Sequence, residues 1–235
     1  MKVAINQPFT FPYIGFYQLV SEVDKFIFYD DVTYMKNSWI NRNRILLNGK
    51  DHFFTIQLEK ASSFKLISDT YIYSNLKTIG KTLKTFHQAY DKAPYASRVF
   101  PIIEGCFNAI REEKRISKIA FISVKSVCDF LGISTQFEFS SEKYANTKGL
   151  GKKERLFEIL RINNAADYVN LPGGTGLYSK DEFIRHGYRL HFIDRGEIVY
   201  KQFGNNFVPW LSMIDVLMFN SAEETKGLLA KRSLA

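Results

Sequence analysis

Apolar positions in this chain fall into short runs that alternate with helical stripes. Val3 to Asn6 is an apolar run that stops at Gln7-Pro8, because proline has no N–H to offer a strand ladder. Within Ile14–Val23 the apolar residues Phe16, Leu19, Val20 and Val23 recur at helical spacing. Lys25 to Tyr29 is a second apolar run, ending in Asp30-Asp31, and His52 to Leu58 is predicted as a third strand. Strand, helix, strand with polar groups just past each strand is the pattern of a parallel sheet buried on both faces. Ligands in such sheets bind beyond the carboxyl ends of the strands.

Further on, Lys65–Ile72 is predicted as a short strand. Asn75–Tyr90 is a predicted helix with Leu76, Ile79, Leu83 and Phe86 on one face. Ala96–Glu113 and Ile116–Leu131 are two more, the second ending at Gly132, a good C-cap. Three helices in succession interrupt the alternation, which predicts a helical insertion, roughly residues 75–132, or a lid over the strand ends. The alternation then resumes, with strands at Gln136–Phe139, Asp167–Leu171 and Arg189–Asp194 and helices at Glu154–Asn163 and Lys180–His186. After a turn at Gly204-Asn205-Asn206, helices are predicted at Leu211–Phe219 and Ala222–Leu229, with Ser212 and Asp215 spaced like a capping box. No repeat or linker divides the chain. The expectation is one α/β domain over residues 1–235, with a Rossmann-like, largely parallel sheet and a helical insertion in the middle.

At 235 residues, 46% hydrophobic and 24% charged, the chain is ordinary for a globular domain. Its 21 Phe and 13 Tyr are expected mostly in the core. No apolar run approaches the roughly 18 residues that cross a bilayer, and no signal-peptide pattern follows Lys2, so the expected location is cytoplasmic. Cys106 and Cys128 lie in apolar helical patterns without metal spacing and are read as reduced core residues. The net charge of +8 favours anionic partners such as nucleotides, nucleic acid or anionic lipid heads, without choosing among them. A homodimer is compatible with these totals.

Candidate chemistry gathers at the predicted strand ends. Gln7 follows the first strand and Asp30-Asp31 the second. Between the second and third strands lies Lys36-Asn37-Ser38-Trp39-Ile40-Asn41-Arg42-Asn43-Arg44, with two guanidinium forks, amides, a lysine and an indole. Arginines suit a bidentate grip on phosphate, and an exposed tryptophan stacks on a base or sugar face; a polar hairpin on a solvated rim is the plainer reading. Lys148 to Lys153, a glycine-lysine stretch at a helix start, is suited to phosphate, although it lacks the Ser or Thr of a Walker A loop. Pro172 to Tyr178 places Gly173, Gly174 and Gly176 after a strand end, where they allow close backbone approach to a ligand. His87, His186 and His191 are read as structural.

These residues also resemble a known family. Gln7-Pro8, Pro12-Tyr13-Ile14-Gly15-Phe16, Phe28 to Val32, Lys36 to Ile45 and, near the C-terminus, Pro209 to Asp215 and Phe219-Asn220 look like the WbqC-like family, nearly end to end. That family is bacterial and often encoded in clusters for O-antigen and other surface polysaccharides. Arg155 matches an arginine of the family pattern, and Gly173-Gly174-Thr175-Gly176-Leu177-Tyr178 a recurring stretch. The family opening more often reads His-Gln-Pro; here Asn6 takes the first position, so a histidine base before the glutamine is absent.

The resemblance implies a transferase acting on a nucleotide-activated amino sugar, by N-acyl or aminoacyl transfer. In that reading Asp31 is the general base, with Gln7 beside it as the second catalytic residue. Tyr13, Lys36, Trp39, Asn41, Arg42, Asn43, Arg44, Arg155, Gly173, Gly174, Gly176 and Tyr178 bind substrate. No metal site is expected, and the donor is an acyl thioester or an aminoacyl-tRNA, so tRNA is a candidate partner. Nucleotidyl transfer is an alternative, although the paired histidines of one such superfamily are absent. Glycosyl transfer is another, lacking an Asp-x-Asp site. A non-catalytic binding module for a polysaccharide precursor or an RNA is the alternative from a different class.

Overall fold

The computed structural model describes residues 1–204 and 206–235; Asn205, in the expected turn, lies outside them. The chain builds β1 (Lys2–Asn6), α1 (Ile14–Glu22), β2 (Lys25–Phe28), β3 (Arg42–Leu47), β4 (Lys50–Thr55), α2 (Leu76–Tyr90), α3 (Ala96–Ala109) and α4 (Ile116–Leu131). It continues through β5 (Gln136–Phe139), α5 (Ser140–Lys143), α6 (Lys152–Ile162), β6 (Asp167–Asn170), α7 (Lys180–Arg185), β7 (Arg189–Asp194), α8 (Met213–Phe219), α9 (Ala222–Ala230) and β8 (Ser233–Leu234). Six strands form one sheet in the order β5-β2-β1-β6-β7-β8, parallel throughout except for the antiparallel edge strand β8. This is the expected Rossmann-like architecture.

Both faces of the sheet are covered, which is why its strands read as continuous apolar runs rather than alternating ones. Phe26 and Phe28 of β2 pack on one face with Phe16, Phe121, Phe137 and Phe139, ring centroids 5.0 to 6.2 Å apart. Val3 and Ile27 point to the other face, into a second cluster with Leu156, Ile159, Tyr168 and Phe183 of the α6–α7 side. Cys106 and Cys128 are buried free thiols, and burial pushes both up to about 12.

Three expectations are corrected. The third strand does not join the parallel sheet: β4 pairs antiparallel with β3 in a separate hairpin. Its two-residue loop is Asn48-Gly49, with φ of +52° and +74°, the Asn-Gly turn whose twist matches a hairpin. Lys65–Ile72 contributes only isolated bridges, Thr33 with Leu66, Leu58 with Ile72 and Tyr71 with Arg115. The helical insertion is present but is no lid. Phe121 of α4 lies against Phe28, Phe137 and Phe139 on the sheet face, and Phe86 of α2 packs on Phe54 of the hairpin.

Ser212 caps α8 as expected, accepting from the Ile214 N–H. Asp215 does not complete a capping box. It is fully buried and accepts from the Tyr90 and Tyr200 hydroxyls, at 2.7 and 2.6 Å, and from Gln202 Nε2 at 2.6 Å. The Tyr90 hydroxyl also accepts from the Leu46 N–H, so this one carboxylate ties α2, α8, the hairpin and the segment after β7 together. Burial raises it above the usual carboxylate value despite those donors.

Candidate functional site

From β1 the chain runs to β2 and β5 on one side and later to β6 and β7 on the other. The carboxyl ends of β1 and β6 therefore flank the point where strand order reverses, the usual ligand position in an open parallel sheet. A cavity of about 620 Å³ opens there. Asn6 ends β1 and Asn170 ends β6, and each Oδ1 accepts the N–H of the next residue at 2.8 Å, Gln7 in one case and Leu171 in the other. These matching side-chain contacts stand at the ends of both strands.

Gln7 lines the cavity, and among the described residues its side-chain amide has no hydrogen-bond partner. Around it stand Tyr29 beyond β2, Lys152 at the start of α6, and Gly173, Gly174 and Tyr178 after β6. Lys152 is exposed and has no ion-pair partner among the described residues. Gly174 packs against Asn170: a Cβ would lie 2.5 Å from Asn170 Nδ2, so a larger residue would have to push that side chain aside. Burial lifts Tyr178 above the ordinary phenol value and, with Tyr178 beside it, lifts Tyr168 well above. Both of these hydroxyls are therefore protonated donors near neutrality. The lining contains no carboxylate and no histidine among the described residues.

Asp31 and Arg155 form a pair behind this wall, their side chains 3% and 5% exposed. Arg155 Nη2 donates to Asp31 Oδ2 at 2.5 Å, and Ser140 Oγ donates to Asp31 Oδ1 at 2.5 Å. The same guanidinium donates through Nε to Thr147 Oγ1 and through Nη1 to the Tyr29 hydroxyl, at 3.0 and 3.2 Å. Burial opposes its charge, yet the bonds to Asp31 and Tyr29 outweigh burial and Arg155 sits above its ordinary value. Asp31 is expected as the general base; here it is buried and bonds Arg155, which in turn bonds Tyr29. Its neighbour Asp30 is held by the Ser141 N–H and hydroxyl, and burial raises it.

The 36–44 stretch does not reach this cavity. Residues 42–44 are the first of β3, not loop, and the stretch builds a basic, aromatic groove lined by Phe9, Pro12, Tyr13, Trp39, Asn43 and Arg44. Asn43 is buried and donates to the Phe11 carbonyl at 2.9 Å; Asn41 is buried and donates to the Ile56 carbonyl at 2.9 Å while accepting from Tyr34. Both amides thus hold backbone rather than ligand. Arg42 donates to the Asn37 carbonyl and lies over Phe53, which stacks on the half-exposed Trp39. Arg44 is tied to Asp51 and to the Trp210 carbonyl, at 3.2 and 3.1 Å. Lys36 and Gly176 are exposed and outside both lined spaces.

Two residues of the groove escape a reading of local pattern, Arg195 and Trp210. Arg195 follows β7, and its Cζ lies 4.5 Å from the Trp210 ring centroid and 5.8 Å from that of Tyr13. A signal for it exists in the sequence: Arg195-Gly196 follows a parallel strand end, as Gln7 and Asp31 do. Gly15, in the Pro-Tyr-x-Gly-Phe stretch, has a role in this packing, since a Cβ would meet Tyr13 Cε2 at 2.4 Å and Arg195 Cδ at 2.8 Å. The Lys148–Lys153 stretch supplies only Lys152; the N–H of Gly151 is already taken by Glu154 at 3.0 Å. His87 stacks on Phe100, His186 stacks on Phe157 and His191 is bonded to Asp167, as structural residues would be.

The family model described as the WbqC-like protein family matches residues 7–227. The chain is also similar to a protein of Mycobacterium tuberculosis described as uncharacterized protein Rv1507c, with 28% identity over 233 residues and 97% of each chain covered. No solved structure matches.

Proposed function

The chain belongs to the WbqC-like protein family, and we propose that it is a transferase of surface-polysaccharide assembly that acylates or aminoacylates a nucleotide-linked amino sugar in the cavity between β1 and β6. The observation that carries this reading is the cavity itself. It lies at the switch point of a parallel sheet, and its size falls within the roughly 300–1,000 Å³ of small-molecule sites. Lys152, without an ion-pair partner among the described residues, offers an ammonium for a diphosphate, and Gln7, Tyr29 and Tyr178 offer hydrogen bonds for a sugar.

In the transfer, the amine of the sugar attacks the carbonyl carbon of the donor. A C–N bond forms, the bond from the carbonyl carbon to the thiol sulfur or tRNA ester oxygen breaks, and the proton lost by the amine ends on that leaving atom. No further reactant is needed. The hydroxyls of Tyr29 and Tyr178 are suited to bond the oxyanion that develops in between. Asp31 is a positioning residue here, acting on Tyr29 through Arg155.

The test is calorimetric titration with a panel of nucleotide-linked amino sugars, followed by mass spectrometry of the sugar after addition of acyl thioesters or aminoacyl-tRNA. Micromolar binding that weakens in Lys152→Ala and Gln7→Ala, with a mass gain on donor addition, supports the reading. Silence across the panel sinks it. The absence of a carboxylate from the lining, among the described residues, favours a second reading, a non-catalytic module, and binding without any mass gain would select that one.

A further inference from the structure

The aromatic and arginine residues that stay outside the β1/β6 cavity form a continuous surface of their own. Trp39 and Phe53 have ring centroids 6.0 Å apart, lie 20° from parallel, and are 41% and 46% exposed. The Arg42 guanidinium packs over both, its Cζ 4.9 Å from the Phe53 centroid and 6.0 Å from that of Trp39. Arg44 comes next, its Cζ 5.7 Å from the Trp39 centroid and its Nη2 donating to the Trp210 carbonyl at 3.1 Å. Beyond it Trp210 is 55% exposed, and the Arg195 Cζ lies 4.5 Å from the indole centroid. Rings and guanidinium groups therefore alternate along the surface from Phe53 to Arg195.

Several of these groups are held in place before any ligand arrives. Trp210 has a φ of +63°, a left-handed conformation that a bulky side chain rarely adopts and that surrounding structure must enforce. Arg42 donates to the carbonyl of Asn37, whose φ of +60° is also left-handed. The cations are nonetheless available. Arg42 and Arg195 form no ion pair among the described residues, and Arg195 bonds only the Tyr13 hydroxyl, at 3.5 Å. Arg44 meets Asp51 at 3.2 Å, a partly exposed pair that contributes little and for which a phosphate can compete.

The same surface is poor in groups that would grip the hydroxyls of a glycan. The lining of the groove contains no carboxylate among the described residues. Its one amide, Asn43, is already committed, donating to the Phe11 carbonyl and accepting from the Arg44 N–H.

We propose that this surface binds single-stranded nucleic acid, with bases stacked on Phe53, Trp39 and Trp210 and phosphates held by Arg42, Arg44 and Arg195. Alternating rings and cations match the repeat of base and phosphate, whereas a lone nucleotide would engage only part of the row. Arg42 and Phe53 lie outside the lining of the groove, so the row is longer than the groove itself. The net charge of +8 adds long-range attraction for such a strand. The groove shares no lining residue with the β1/β6 cavity, so the proposal is independent of the transfer reading.

The test is fluorescence anisotropy with labelled RNA and DNA single strands of about 12 nucleotides, against a duplex of the same length. The proteins are wild type, Trp39→Ala, Phe53→Ala and Arg195→Ala, with melting temperature reporting whether each folds. Wild type should bind the single strands more tightly than the duplex, whose bases are already stacked on each other. Trp39→Ala should weaken the single strand by about tenfold and leave the salt dependence unchanged. Arg195→Ala should also weaken it, and should lower the slope of log affinity against log salt by about 0.7. Phe53→Ala supplies the stacking result if Trp39→Ala does not fold. A preference for RNA would mean that the 2′-hydroxyl is read, and equal binding that bases and phosphates suffice; either upholds the site. No binding of either single strand, duplex bound as tightly, or unchanged affinity in the folded stacking variants overturns the proposal.

Discussion

The guanidinium of Arg155 reaches the hydroxyl of Tyr29 at 3.2 Å, with its Cζ 4.8 Å from the same ring. Because Asp31 clamps the same guanidinium, a buried residue outside the cavity lining helps to set the position of Tyr29, which lines it.

Asp31→Asn should therefore destabilise the fold before it does anything else. Removing one partner of a buried pair leaves the other charge uncompensated, at a cost of about 3–5 kcal/mol. Urea unfolding checks this. A variant as stable as wild type, inactive but still binding the sugar, would restore Asp31 to the role of open base.

Lys152→Ala should act oppositely. Lys152 is exposed and, among the described residues, free of ion pairs, so melting should shift by little. Loss of a charge-assisted contact to phosphate, about 1.5–3 kcal/mol, should weaken the nucleotide-linked sugar by roughly tenfold or more. Calorimetry of both proteins reads this directly, and unchanged affinity would remove Lys152 from the site.

Gly174→Ala should cost about 1–3 kcal/mol of stability, because its Cβ would lie 2.5 Å from Asn170 Nδ2. Displacing that side chain also disturbs the Asn170 cap on Leu171, so sugar affinity should fall as well. Gly176→Ala is the control, since no atom lies within 4 Å of its Cβ position.

Acid should weaken the β6–β7 edge. The Arg189 guanidinium, together with His191, holds the Asp167 carboxyl far below its usual value. A carboxylate lowered in the folded state contributes fully above its unfolded value of about 3.9, and the contribution is lost as pH falls toward the lowered one. Wild type should therefore lose its advantage over Asp167→Asn as pH drops below about 4. Parallel urea curves from about pH 2 to 7 check the sign; a constant difference would exclude it.

Much of the fold is legible in the order of residues alone, because a parallel sheet covered on both faces requires uninterrupted apolar strands and helices with one apolar stripe. Val3–Asn6, Lys25–Tyr29, Gln136–Phe139 and Arg189–Asp194 carry that requirement locally, and Gln7 just past β1 and Tyr178 in the loop after β6, both singled out from the sequence, line the cavity. The Asn48-Gly49 hairpin is equally legible in principle; the polar start of β3 conceals it. What no local pattern holds is which strand ends become neighbours. Asn6 and Asn170 face one cavity only because the chain leaves β1 in two directions, and Arg195 meets Trp210 and Tyr13 only because three distant segments pack together. Burial is non-local in the same way. Asp31 reads the same in sequence whether it sits in an open loop or behind a wall, and the packing of α6, which brings Arg155 onto it, turns an expected base into a clamp.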